Sequence, residues 1–81
     1  MTDDDILSGL KPVFDMLFPD NTHKLTRATT ARDVEGWDSL RNIQVVVGAE
    51  QAFGVSFTAT EIDQLPNVGA LVDLIRKKKS G

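Results

Sequence analysis

The chain's 81 residues carry 12 Asp and Glu against 9 Lys and Arg, a net charge of -3, and at 41% hydrophobic and 26% charged they have the balance of one small soluble globular domain. With no cysteine and a single histidine there is no disulfide framework, and zinc or thiol redox chemistry on the chain's own side chains is disfavoured. No apolar run approaches the roughly 20 residues of a membrane helix. Met1 is followed by "TDDD", the reverse of a basic leader, so a cytoplasmic monomer without membrane insertion is expected.

In chain order, Ile6, Leu7, Leu10, Val13, Phe14, Leu17 and Phe18 recur at intervals of three and four, which predicts a first helix over about 3–18 with one buried face. Asp3, Asp4 and Asp5 suit its positive N-terminus. Pro12 removes the backbone bond to Ser8 at a cost of about 3 kcal/mol, so a kink or local break is expected there. From 19 to 37 no period persists. A connection this long is disordered, carries a short helical turn, or has a task of its own. Leu25 and Val34 are the residues expected to pin it to the core.

Asp38 or Ser39 then caps a second helix over about 39–53, with Leu40, Ile43, Val46, Val47 and Phe53 as its inward face. The β-branched run 45–47 with Gly48 makes a buried strand the alternative for 43–47, but the helical spacing from Leu40 to Phe53 outweighs it. Gly54 supplies a left-handed end. Thr58 or Thr60, followed three residues later by Glu61 or Asp63, forms a capping box for a short third helix over about 59–65. Asn67 caps a fourth over about 67–78, with Val68, Leu71, Val72 and Ile75 inward. Its end, "RKKK", complements the helix dipole and, lacking interleaved aromatics or a wider basic face, does not make a nucleic-acid surface. The expected fold is all-α, a small four-helix bundle of marginal stability and one domain over 1–81.

Catalytic chemistry has little material here. His23 is the only imidazole, no aspartate is spaced to orient it towards Ser39, and so small a bundle leaves little room for an enclosed pocket. Asp33, Glu35 and Asp38 lie in or beside a solvated loop. The stretch Gly36-Trp37-Asp38-Ser39-Leu40 is more informative. A serine in the first turn of a helix sits among unpaired N–H groups at the positive end of the dipole, where a phosphate ester would be stabilised. Leu40 is expected to turn inward as an anchor and Gly36 to let a partner's surface approach. Trp37 is expected to pack on the helix start as a staple, with contact to a bound group as the alternative.

The Asp-Ser-Leu triplet after a long loop and before an apolar helix, followed by "EQAFGVSF" and "LPNVGALVDLI", resembles the acyl and peptidyl carrier protein family over essentially the whole chain. The resemblance implies a four-helix bundle of the acyl-carrier type, with a long loop between helices 1 and 2 and a short third helix. It implies that Ser39, flanked by Asp38 and Leu40 as recognition motif, carries 4'-phosphopantetheine derived from coenzyme A. A separate magnesium-using phosphopantetheinyl transferase attaches it. The arm's thiol holds acyl groups as thioesters for fatty-acid, polyketide or specialised lipid biosynthesis, loaded by a ligase or acyltransferase and used by downstream synthase enzymes. The carrier itself is no enzyme. In fatty-acid carriers the helix after the serine is rich in acids, whereas here Arg41, Asn42 and Gln44 stand in the expected partner-binding positions with Glu50 as the only acid. Together with Trp37 this departure resembles a discrete carrier of a specialised pathway. An aminoacyl, D-alanyl or peptidyl carrier is the alternative, and a helical interaction module without prosthetic group, with Ser39 only a cap, is the weaker one.

Overall fold

Four helices in the order α1 (Asp3–Leu17), α2 (Ser39–Phe53), α3 (Ala59–Asp63) and α4 (Val68–Ser80) make up a computed structural model that describes residues 2–19 and 24–80. No strand occurs among the described residues, so 43–47 is helical. The bounds lie within one or two residues of those expected, because each start carries its own cap. Thr2 opens α1 with a capping box: its Oγ1 accepts the Asp5 N–H at 3.2 Å, and the Asp5 carboxylate accepts the Thr2 N–H at 3.1 Å. Asp38 caps α2, Thr58 caps α3, and Asn67 Oδ1 accepts the Ala70 N–H at 2.8 Å at the start of α4. Gly54, at φ +66°, closes α2 in the left-handed region.

The break expected at Pro12 does not occur. The helix runs through it unbroken, and Pro12 and Ser8 both lie on the exposed side, where solvent can satisfy the carbonyl that loses its donor. The inward face of α2 also differs from the one expected. Val45, Val46, Ala49 and Phe53 are buried, while Leu40, Ile43 and Val47 are 65%, 54% and 44% exposed. Close packing of α1 on α2 bears on this: a β-carbon on Gly48 would lie 2.6 Å from Val13 Cγ1, so no side chain fits at that point of the contact, while Phe53 packs over Gly9 of α1. The core unites Ile6, Leu10 and Phe14 of α1 with Val45, Ala49 and Phe53 of α2 and Val68, Leu71, Val72 and Ile75 of α4.

The long connection forms turns over its described part and has a task the sequence left open. Val34 is buried and Leu25 packs against the core, as expected. The carbonyls of Thr29 and Arg27 accept the N–H groups of Val68 and Gly69, both at 2.8 Å, so the loop caps the start of α4. Thr29, a buried polar residue of the loop, accepts the Thr26 N–H at 2.9 Å. Arg27 grips both carboxylate oxygens of Asp73 on α4 at 2.9 Å each and reaches Asp3 on α1 at 3.2 Å. Arg76 joins the same cluster through Asp3 and Asp73. Beside Arg27, the Asp73 carboxyl is held below the usual carboxylate range, and the guanidinium is raised in turn.

The short helix α3 has no buried residue and is held by polar contacts. Glu61 closes the capping box on Thr58, pairs with Lys78 of α4 at 3.0 Å, and has its carboxyl lowered first by the Thr58 N–H and then by Lys78. Lys78 also lies 5.6 Å above the Phe57 ring. Arg76 and Lys78 of the basic end are therefore engaged within the fold.

Candidate functional site

The start of α2 is built by three consecutive devices. Gly36 adopts φ +87°, a conformation that a side chain rarely tolerates, and the turn closed by the Trp37 N–H on the Val34 carbonyl at 3.2 Å throws the indole back onto α1. Gly36 is thus required by the turn itself. Trp37 packs edge-on to Phe14 at 5.2 Å and near Phe18 at 6.0 Å, and its Nε1–H donates to Asn42 Oδ1 at 3.2 Å. The indole is therefore tied to the start of α2 by one hydrogen bond, while its ring packs on the aromatic side chains of α1 and its end. Asp38 then takes the N-cap, its carboxylate accepting the Arg41 N–H at 2.8 Å.

With Asp38 as the cap, Ser39 is released from that role. It is the first helical residue and is exposed, so its hydroxyl faces solvent at the positive end of α2. The amides of Ser39 and Leu40 have no acceptor within the helix. Beside them opens a concavity of about 400 Å³, with Trp37, Ser39 and Asn42 on one wall and Ile62, Leu65 and Pro66 on the other. The second wall, from α3 and the turn after it, was not anticipated. Residues so far along the chain give no local sign that they face Ser39.

The other expected site residues divide. Leu40 was expected to anchor inward and instead lies on the surface. Arg41 and Gln44 are exposed as expected, with the guanidinium 3.4 Å from Gln44 Oε1. Asn42 Oδ1 accepts the indole N–H, and one Glu50 carboxylate oxygen accepts the Phe57 N–H at 2.9 Å, so each also serves the fold. His23 lies outside the described residues. Among the described residues, no His, Cys, Asp and Glu cluster could hold a metal ion, and no helix is long and apolar enough to cross a membrane.

The sequence profile of the phosphopantetheine attachment site matches residues 22–75, two-thirds of the chain and the whole of this site. The fold is similar to the solution structure of holo acyl carrier protein from Geobacter metallireducens, with a TM-score of 0.82 and 39% identity over 93% of this chain and 86% of that one. The chain belongs to the acyl carrier protein family. Comparison with curated protein sequences gave no significant match. For this carrier the family's prosthetic group is covalently bound phosphopantetheine, and the start of α2 fits it. The site offers an exposed hydroxyl for the ester bond, helix amides and a positive dipole for its phosphate, and an open concavity of mixed polarity alongside.

Proposed function

We propose that Ser39 is the attachment point of 4'-phosphopantetheine and that this protein is a dedicated acyl carrier, loaded and used by separate enzymes and catalysing nothing itself. The observation that carries the reading is the exposed Ser39 hydroxyl on a helix start whose cap is already supplied by Asp38. Once attached, the group supplies a terminal thiol that holds carboxylic acids as thioesters.

The chain's own residues account for the rest. Asp38 fixes the first turn, so the Ser39 hydroxyl is presented without having to break a capping bond. The Ser39 and Leu40 amides would face the phosphodiester, with the dipole of α2 favouring its negative charge. Trp37, immobilised by Phe14, Phe18 and Asn42, forms a firm wall for the segment of the arm nearest the ester. Ile62, Leu65 and Pro66 give the opposite wall an apolar character. The scarcity of acids on α2, where Glu50 is the only one and has one oxygen on the Phe57 N–H, supports service in a specialised fatty-acid, polyketide or lipid pathway over the housekeeping one.

Incubation of the purified protein with coenzyme A, magnesium and a phosphopantetheinyl transferase of broad specificity tests this. Intact mass should rise by one phosphopantetheine group, and Ser39→Ala should show no gain while keeping its helical circular dichroism. A wild-type mass that never changes overturns the proposal. The mass of the loaded form isolated from cells then separates acyl from aminoacyl cargo.

A further inference from the structure

The indole N–H of Trp37 can only donate, so the Asn42 side-chain atom it meets at 3.2 Å is the amide oxygen. That one bond settles which way the amide is turned. Its Nδ2 group, with two donor hydrogens, lies on the other side of the amide and makes no hydrogen bond among the described residues. Asn42 stands three residues after Ser39 on α2, a spacing that leaves about 5–6 Å between β-carbons. A helical side chain leans towards the start of its helix, over the residue three before it, and here that residue is Ser39. Both line the concavity beside the helix start. The rest of that concavity offers an anion little. Its charged side chains are Asp38 and Asp63, both carboxylates, and no Lys or Arg among the described residues lines it. The Trp37 N–H is committed to Asn42, and an ester on Ser39 would consume the hydroxyl. Asn42 Nδ2 is then the side-chain donor left to a phosphate at this point.

We infer that Asn42 is a positioning residue for the prosthetic arm: its Nδ2 donates to a phosphodiester oxygen of the group on Ser39 while its Oδ1 holds the Trp37 indole. The inference rests on the reading of Ser39 as the attachment point. The two bonds support each other. Donation from Nδ2 to an anion polarises the amide and makes Oδ1 a better acceptor, so the indole bond tightens when the arm is held. The indole, packed on Phe14 at 5.2 Å, fixes the amide in return. Attachment at Ser39 is thereby felt in the aromatic contacts on α1 through one side chain, with no backbone movement needed.

Nuclear magnetic resonance of the full chain before and after transfer of phosphopantetheine tests this, with the transfer followed by intact mass. In the holo-protein the bonded Nδ2 proton of Asn42 should exchange with water about tenfold more slowly than in the apo-protein, as a hydrogen bond to a charged group implies. The Trp37 indole N–H resonance should move downfield. The side-chain amide of Gln51, exposed on the last turn of α2, should not change. Asn42→Asp separates the two roles, since it keeps an oxygen for the indole and replaces the donors with a second acceptor. Its apo-form should keep the wild-type melting temperature and the wild-type quenching of Trp37 by small solutes, because a carboxylate suits the start of a helix. Its holo-form should show a shifted and narrower phosphorus resonance, the arm being less restrained. Equal exchange of the Nδ2 protons in apo- and holo-protein overturns the inference, as does a phosphorus resonance in holo Asn42→Asp identical to that of the wild type. If Asn42→Asp is not modified, the wild-type comparison decides alone. A wild-type mass that never rises overturns the Ser39 reading and this inference with it, whereas a normal mass gain with unprotected Nδ2 protons overturns this inference only.

Discussion

At the scale of single residues, Gly48 shows how two opposed effects are weighed. Alanine is the better helix former by about 1 kcal/mol, yet its β-carbon would meet Val13 Cγ1 at 2.6 Å, and a β-branched valine has no flexible end to move aside. We expect Gly48→Ala to destabilise the fold by about 1–3 kcal/mol in denaturant unfolding, the cost typical of overpacking, despite the gain in propensity. A more stable variant would show that α1 and α2 can separate without loss. Asn42 makes the corresponding point at the site. Its Oδ1 is the acceptor that fixes the orientation of the chain's sole tryptophan. Asn42→Leu should shift the Trp37 emission and increase its quenching by small solutes, with helix content unchanged, because the indole N–H loses its partner and the ring its tether.

Among the elements, α3 stands apart because it contributes no buried residue and rests on its capping box and on Lys78. Thr58→Ala should therefore cost about 1 kcal/mol locally. Hydrogen exchange of the α3 amides would speed up by roughly tenfold or less while exchange in α1 and α2 stays at the wild-type rate. Uniform acceleration would mean that α3 is instead part of the cooperative core. The elements also show what was legible in the sequence. Helix number, order and ends could be read because each depends on neighbours a few residues apart: Thr58 with Glu61, Asn67 with Ala70, Phe53 with Gly54. The orientation of α2 could not. With Leu40, Ile43, Val45, Val46 and Val47 all aliphatic, two faces satisfy the helical spacing, and Gly48 and Ala49 decide between them only through the shape of α1. Pro12 misled for a similar reason, since its cost depends on whether the orphaned carbonyl meets solvent or core. Ser39, its Asp38 cap and the Trp37 staple were legible because they are contiguous. The far wall of Ile62, Leu65 and Pro66 was not, being brought in by tertiary folding.

For the molecule as a whole, the charges that matter to stability are gathered where three segments meet. Arg27 from the loop, Asp3 from α1 and Asp73 and Arg76 from α4 form one cluster, with Asp73 held below its ordinary value by Arg27. Glu61 and Asp5 are lowered as well, each first by the backbone N–H of its capping threonine. A carboxyl whose folded value is depressed adds stability that is fully present above its unfolded value, about 4, and is lost as pH falls through the lower folded value. The melting temperature should therefore hold between about pH 5 and 7 and fall below about pH 4. Arg27→Met should lower it at neutral pH and make the acid decline shallower, because Asp73 then titrates closer to its unfolded value. An acid limb identical to wild type would place the sensitivity elsewhere.

The backbone bonds from Val68 and Gly69 to the loop carbonyls have a wider consequence. A helix usually brings its own cap, as Asn67 does here in part, but α4 takes two of its first acceptors from a segment far earlier in the sequence. The loop and the last helix are then one folding unit in energy although they are remote in the chain, so anything that straightens the loop also uncaps α4. The amide resonances of Val68 and Gly69 become a gauge of loop conformation, readable by nuclear magnetic resonance without placing a label near Ser39. A client enzyme that reshaped the loop while engaging the start of α2 would announce itself at those two amides.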